Sequence, residues 1–144
     1  MFEHDIQTPK GMKLLGIDYG TKRVGVAVSD ARGTMAFPKT VLSNTSSLVD
    51  EVLALIEAEE VEGVVIGESK KLTGEENELM DAIRAFAASL QKKAAIPVFF
   101  EPEFYTSHEA RRLASEGVRG KGDGVVDAHA AAIILNSYLN RSDI

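Results

Sequence analysis

The residues of this sequence best suited to chemistry are carboxylates that follow or interrupt apolar segments. Asp18 comes directly after the apolar run Leu14–Ile17, and a short turn then leads to a second apolar run, Val24–Val28. A carboxylate on a half-buried strand costs free energy unless it is paired or bound to a cation. The sequence therefore predicts for Asp18 either a cation site or hydrogen bonds from the turn at Gly20 and Thr21.

Two further pairs of acids lie at the boundaries of predicted elements. Glu101 and Glu103 end a predicted strand, and strand alternation puts both on one face if the strand continues through Pro102. Asp123 and Asp127 lie near the start of the last predicted helix. Each also has a structural explanation, because strand ends carry charge in solvent, caps favour aspartate and the helix dipole favours an acid in the first turn. Both interpretations stay open at this point.

The histidines carry less weight than the acids. His4 belongs to the N-terminal segment, and His108 lies in a predicted capping box. His129 follows Asp127 by two residues, a spacing that points the two side chains to different helix faces. It stays a candidate metal ligand because histidine is a common one.

The bulk composition narrows the class of protein. The chain has 144 residues, 44% hydrophobic and 26% charged, which suits one soluble domain with a single core. It has no cysteine, so disulfides and thiolate metal sites are excluded. The net charge of −6 argues against coating nucleic acid by charge alone. Residues 1–12 lack the features of a signal peptide, so we expect a flexible leader, a single domain over residues 13–141 and a cytoplasmic location.

The periodicity of the apolar residues predicts the elements that position the acids. Three strands joined by short links are predicted over residues 12–17, 23–29 and 34–42, the last with Pro38 near a sheet edge or a bulge. The elements that follow are a helix over 48–60, a strand over 63–67, a helix after a capping box at 73–76, a strand over 96–100, a helix over 106–115 and a helix over 125–139. This order predicts an α/β fold: a mixed five-stranded sheet, antiparallel and then parallel, flanked by helices in a ribonuclease-H-like layout. The polar segment Gly67–Lys71 is predicted to be a loop that faces a ligand crevice.

Two segments resemble a known family. The stretch GIDYGTKRVGVAVSD, residues 16–30, closely resembles the opening signature of the YqgF family, whose ribonuclease-H-like members are described as pre-16S rRNA nucleases and Holliday-junction resolvases. The stretch VDAHAA, residues 126–131, resembles the closing motif of that family. The resemblance implies an active site of three acids, with the first on Asp18 and the last on Asp127. The middle acid falls on Glu103, where Pro102 and Phe104 replace the aspartate and arginine of the family's Asp-Glu-Arg motif.

The resemblance implies metal-dependent hydrolysis of phosphodiester bonds in structured RNA or branched DNA. Carboxylates of Asp18, Glu103 and Asp127 suit Mg²⁺ or Mn²⁺, and a two-metal site would hold the ions about 3.5–4 Å apart. Further candidate ligands are Glu101, Asp123 and His129. Phosphate contacts would come from basic residues along the chain: Lys22, Arg23, Lys70, Lys71, Arg111, Arg112, Arg119 and Lys121.

Two other functions are weighed against the nuclease. A non-catalytic nucleic-acid-binding or interaction module could keep the fold, and the altered middle motif and the acidic net charge favour that alternative. An ATP-binding domain of the actin-like or sugar-kinase type has a similar opening motif, but such proteins close two domains around the nucleotide. Junction cutting would call for two sites on a two-fold axis, so a homodimer is one expected assembly, alongside a monomer.

Overall fold

A mixed five-stranded sheet with helices on both faces forms the centre of the protein. The structure is a computed structural model, and it describes residues 11–70, 79–104 and 123–141. The strands are β1 (Leu14–Tyr19), β2 (Arg23–Ser29), β3 (Ala36–Ser43), β4 (Gly63–Lys70) and β5 (Val98–Phe104). The helices are α1 (Leu48–Glu59), α2 (Leu79–Ala94) and α3 (Asp123–Arg141).

The strand order is β3-β2-β1-β4-β5, and both pairing directions occur in it. Strands β1, β2 and β3 pair antiparallel, as expected for a meander with short links. Strands β1, β4 and β5 pair parallel, as the intervening helices require. The predicted fold class and sheet topology are confirmed.

The two faces of the sheet carry separate apolar clusters. Leu15 and Ile17 of β1 belong to the cluster that packs under α1 and α2. Leu14 belongs to the opposite cluster, under α3, because successive strand residues point to opposite faces. Helix α3 contributes Ile134 and Leu135 to this second cluster, and both are fully buried. The core therefore consists of two layers, with the sheet between them.

The helices follow the apolar periodicity that predicted them. In α1 the buried residues Leu48, Val52 and Ile56 recur at steps of four and face the sheet. The helix ends at Glu60, whose φ of 56° is left-handed and stops the helical hydrogen-bond pattern. The predicted capping boxes at 73–76 and 106–109, and the predicted short helix over 106–115, lie outside the described residues.

Three strands extend beyond their predicted ends. Strand β1 continues to Tyr19, so Asp18 lies inside the strand and not after it. Strand β4 continues to Lys70, and the predicted loop at 67–70 is therefore wrong. Strand β5 continues to Phe104, and it begins at Val98 and not at residue 96. For β4 and β5 the cause is their parallel ladder, which stays in register as far as the pair Lys70–Phe104. Strand β1 is extended by its antiparallel pairing with β2, which continues to the pair Tyr19–Val24.

The position of Pro38 agrees with its prediction. Strand β3 is an edge strand, so the missing N–H of proline leaves no ladder bond unmade on its outer side. Its pairing with β2 also has an irregularity between Val26 and Ala27. No helix among the described residues has the length and apolar character needed to cross a membrane. The division into a leader over 1–12 and one domain over 13–141 stays a prediction.

Candidate active site

Asp18 and Asp127 are brought close together by the way α3 lies on β2. Asp18 pairs with Gly25 in the antiparallel β1–β2 ladder. A Cβ atom placed on Gly25 would lie only 1.9 Å from the backbone oxygen of Asp127. Paired residues of antiparallel strands have Cα atoms about 5 Å apart and side chains on the same face. Asp18 therefore faces α3, beside the turn that carries Asp127.

Two further glycines let α3 lie directly on the sheet. A Cβ on Gly16 would lie 2.8 Å from Leu135 Cβ, and one on Gly67 would lie 2.6 Å from Ile134 Cδ1. Gly16 and Asp18 are two residues apart on β1, so alternation puts both on the α3 face. Because glycine has no side chain, nothing at Gly16 or Gly67 holds α3 away from the sheet. The close approach is what brings α3 within reach of the Asp18 carboxylate.

The Asp127 carboxylate forms an ion pair with the first residue of β2. The Nε–H of Arg23 donates to Oδ2 of Asp127 over 2.7 Å. The two side chains are 46% and 24% exposed, respectively. Arg23, which the resemblance suggested as a phosphate contact, therefore contacts one of the predicted metal ligands in this structure.

The turn between Asp18 and Arg23 is anchored from a distant loop. Asn44 donates from Nδ2 to the backbone oxygen of Gly20 over 2.7 Å. Its backbone N–H also donates to the backbone oxygen of Lys22 over 2.9 Å. These two bonds fix the path of the β1–β2 turn. The backbone on either side of the turn is thereby held in place beneath α3.

Glu101 is engaged at the other end of α3. Its Oε2 accepts a 2.6 Å hydrogen bond from Ser137 Oγ, and its Oε1 lies 3.2 Å from Arg141 Nη2. The glutamate is buried, and Oε1 lacks a hydrogen bond of good geometry among the described residues. Ser137 is ten residues beyond Asp127 on the helix, a rise of about 15 Å. The partners of Glu101 thus lie at the far end of α3 from Asp127.

The remaining predicted ligands are placed only in part. Strand β5 continues through Pro102, beyond the predicted strand end at residue 100, and Glu103 pairs with Ser69 of β4, near the polar end of the sheet. Asp123 lies in the described part of α3. The side chains of Glu103 and Asp123 lie outside the described part of the structure. His129 is exposed on α3, whereas Asp127 is half-buried.

Of the predicted phosphate contacts, Lys22 and Arg23 are described, and both are exposed at the β1–β2 turn. Only the backbone of Lys70 is described, at the end of β4. The other five, Lys71, Arg111, Arg112, Arg119 and Lys121, lie outside the described ranges.

The donor set at this place fits a hard divalent cation in its chemistry. Asp18 and Asp127 supply carboxylate oxygens, which Mg²⁺ and Mn²⁺ prefer. The backbone of β5 brings Glu103 to the same end of the sheet as Asp18, since β1, β4 and β5 are parallel. Over the residues that the structure describes, no group of three or more acids or histidines is arranged to hold a metal ion. Asp18 and Asp127 are two of the three predicted acids, and the side chain of the third, Glu103, lies outside the described part of the structure.

Sequence reasoning missed the residues that assemble this site. Gly25 interrupts a run of valines, and an isolated glycine in a strand signals close approach by another backbone. Gly25 therefore indicates that another backbone comes close, but the sequence does not indicate which one. Asn44, Ser137 and Arg141 carry no comparable signal, because each acts on a residue far away in the sequence.

Comparison with protein families gives one match that covers nearly the whole domain. Residues 12–141 match the family model described as "RuvX: Holliday junction resolvase". A protein of Oleidesulfovibrio alaskensis named "Putative pre-16S rRNA nuclease" is 40% identical over 137 residues, covering 90% of this chain and 92% of the relative. A protein of the same name from Nitratidesulfovibrio vulgaris is 41% identical over 133 residues, covering 90% and 94%.

Solved structures share the architecture at low sequence identity. RuvC of Thermus thermophilus in complex with a Holliday junction has a TM-score of 0.54 and 16% identity, covering 90% of this chain and 95% of RuvC. The Holliday junction resolvase of fowlpox virus has a TM-score of 0.56 and 13% identity, covering 90% and 99%. At these identities the likeness concerns the fold alone, and it confirms the predicted ribonuclease-H-like arrangement.

Proposed function

The chain belongs to the RuvX family, also called YqgF, and on that premise we propose that it hydrolyses phosphodiester bonds of structured nucleic acid in a reaction that depends on Mg²⁺ or Mn²⁺. The names of its relatives suggest precursor rRNA and four-way DNA junctions as the substrates to test. The predicted resemblance to this family is confirmed by the match over residues 12–141.

One observation carries the proposal for this chain's own residues. Gly25 lies opposite Asp18 in the sheet and against the backbone of Asp127, so one glycine adjoins two acids that are distant in the sequence. The apolar residues of the two core clusters hold α3 and the sheet together around this place. Carboxylates that share one site repel each other, and a cation between them removes the repulsion.

The proposed roles follow from position. Asp18 and Asp127 hold the cation, and Glu103 at the end of β5 is the third ligand. A divalent cation, when bound, supplies Lewis-acid stabilisation of the charge on the phosphate oxygens. The exposed Lys22 contacts a phosphate of the strand and positions the backbone without reading the sequence. Glu101, bonded to Ser137, is a structural residue in this scheme.

Removing either described acid tests the proposal. We expect Asp18→Asn and Asp127→Asn to reduce cleavage of a four-way DNA junction and of a precursor rRNA fragment by at least about 100-fold, since even outer partners of metal ligands cost 10–100-fold. Asp81→Asn is the matched control, because that carboxylate is 95% exposed on α2 and is expected to leave the rate unchanged. The assay is gel-based cleavage with Mg²⁺ and with Mn²⁺.

A thermal-melt series separates the metal from the fold. Wild-type protein should be stabilised by Mn²⁺, by about 2.7 kcal/mol at 100 times the dissociation constant. In Asp18→Asn this stabilisation should shrink, while the metal-free stability stays equal or rises. Cleavage that survives equally in both site variants would mean a contaminating nuclease. Folded wild type without cleavage or metal response would instead support the non-catalytic module.

A further inference from the structure

The ion pair between Arg23 and Asp127 suggests a function for the arginine beyond phosphate binding. We propose that Arg23 is an exchangeable counter-ion, which neutralises Asp127 in the metal-free protein and is released to a substrate phosphate when a divalent cation takes that carboxylate. The inference rests on the proposed metal site. It assigns two alternative partners to one guanidinium.

The geometry makes the arginine and a cation competitors. Arg23 Nε lies 2.7 Å from Oδ2 of Asp127, so a cation that approaches this oxygen meets the arginine and competes with it for the carboxylate. The guanidinium also places a positive charge where the cation would arrive, and like charges this close repel each other. In the metal-free protein Arg23 therefore neutralises the charge of the Asp127 carboxylate. The same arginine weakens the binding of a cation.

The exposure of the pair makes exchange inexpensive. The Arg23 side chain is 46% exposed and the Asp127 side chain 24%, so solvent reaches both partners. Ion pairs of this kind contribute little to stability. A guanidinium released here enters water without breaking the core, since it is attached at the first residue of β2.

Only the side chain needs to move in this exchange. Asn44 holds the preceding turn through Gly20 and Lys22, and β2 is paired on both edges. The Arg23 Cα is therefore fixed while its side chain changes rotamer. Guanidinium groups bind phosphate through two parallel hydrogen bonds, so a nucleic-acid strand at the site offers a second partner of suitable chemistry.

Metal titration without nucleic acid tests the first half of the exchange. By isothermal titration calorimetry with Mn²⁺, Arg23→Gln should bind about three- to tenfold more tightly than wild type, because the competing donor and its charge are gone. The matched control is Lys22→Gln, which removes an exposed cation from the same turn and should change affinity less than Arg23→Gln does. The gain should vanish in the double variant with Asp127→Asn.

Nucleic-acid binding tests the second half. Binding to a four-way DNA junction and to a precursor rRNA fragment is measured in parallel by anisotropy at several salt concentrations, with Ca²⁺ as the divalent probe. In Arg23→Gln we expect the slope of log affinity against log salt concentration to decrease by the contribution of about one phosphate contact. In EDTA the slopes of wild type and Arg23→Gln should coincide, since the arginine is then on Asp127.

The outcomes distinguish this inference from the nuclease proposal. Equal or weaker Mn²⁺ binding by Arg23→Gln, together with wild-type binding that needs Asp18, would overturn the counter-ion exchange and leave the metal site intact. Mn²⁺ binding by neither protein would overturn both. A slope difference of the same size in EDTA and in Ca²⁺ would also contradict the exchange, because the phosphate contact would then not depend on the metal. Circular dichroism checks that each variant is folded.

Discussion

At each end of helix α3 a carboxylate pairs with an arginine, and the two carboxylates differ in burial. At the N-terminal end, Asp127 is 24% exposed and its partner comes from β2. At the C-terminal end, the Glu101 side chain is 7% exposed, and its partners Ser137 and Arg141 come from α3 itself. The same two chemical groups therefore meet in two different environments.

The difference indicates different roles for the two pairs. The Glu101 pair stabilises the fold, and the Asp127 pair is the one that we propose exchanges its partner. A buried carboxylate that loses its partners pays a large desolvation penalty, so Glu101 ties β5 to α3 firmly. Tyr138 reinforces this end, because its ring stacks on Phe99 and lies 4.9 Å from the Arg141 guanidinium carbon. The Asp127 pair lacks this enclosure. The C-terminal end of α3 is therefore fixed to the sheet by buried contacts, whereas the N-terminal end is the proposed place for a cation.

The largest expected effect comes from forcing the N-terminal end of α3 off the sheet. In Gly25→Ala the new Cβ would meet the backbone oxygen of Asp127 at 1.9 Å, so the helix or the strand must shift. We expect a loss of about 3 kcal/mol or more in the free energy of unfolding, together with loss of Mn²⁺ binding. Urea denaturation measures the first and calorimetry the second.

Gly67→Ala is the matched control for that change. Its Cβ would meet the flexible end of the Ile134 side chain at 2.6 Å, which can rotate away, so we expect a cost of about 1 kcal/mol and retained metal binding. Equal costs for the two variants would show that the approach of α3 at Gly25 is not special.

An intermediate effect is expected from breaking the two pairs separately. Ser137→Ala removes the 2.6 Å hydrogen bond to Glu101 and should cost about 2 kcal/mol, because a buried carboxylate loses a donor. Arg23→Gln should cost less than about 1 kcal/mol, since the Asp127 pair is exposed. Chemical denaturation of both variants gives the comparison. A larger cost for Arg23→Gln would reverse the assignment of the fixed and the exchangeable end.

The smallest effect concerns the pH dependence of stability at the fixed end. Burial raises the pKa of the Tyr138 phenol above its ordinary value, against the opposing charge of Arg141. A folded pKa above the unfolded one means that the native state holds the proton more tightly, so this contribution is complete below about pH 10 and is lost as the pH rises through the folded pKa. Tyr138→Phe should therefore lose stability less steeply than wild type between about pH 9 and 12. Parallel curves from urea denaturation would contradict this.

The sequence predicted the architecture better than the ends of the elements. Period-two and period-3.6 patterns placed β2 at Arg23–Ser29 and began α1 at Leu48, and the structure agrees with both. The polar end of β4 was predicted to be a loop, because Gly67–Lys70 has no apolar pattern. Pairing with β5 supplies backbone hydrogen bonds that do not depend on side-chain type. Local composition therefore gave the wrong boundary.

The acids show the same division. The family signature pointed to Asp18 and Asp127, and the structure places both beside Gly25. Glu101 and Glu103 were indistinguishable as ligands from their spacing alone. Glu101 is bonded to Ser137, a residue that no local pattern connects to it. The hydrogen bond that engages Glu101 joins β5 to the distant helix α3, so spacing within β5 cannot predict it.

The sequence by itself determined the order of strands and helices and the parallel and antiparallel pairing, and its resemblance to the family pointed to Asp18 and Asp127. These follow from periodicity and from short motifs, which are local properties of the chain. Tertiary structure alone decided that Arg23 lies on Asp127, that Asn44 anchors the turn before it, and that Glu101 is buried at the far end of α3. Each of these contacts joins residues far apart in the sequence. The contacts of Asp127 and Glu101 also depend on how closely α3 can approach the sheet, and glycines at three positions allow that approach.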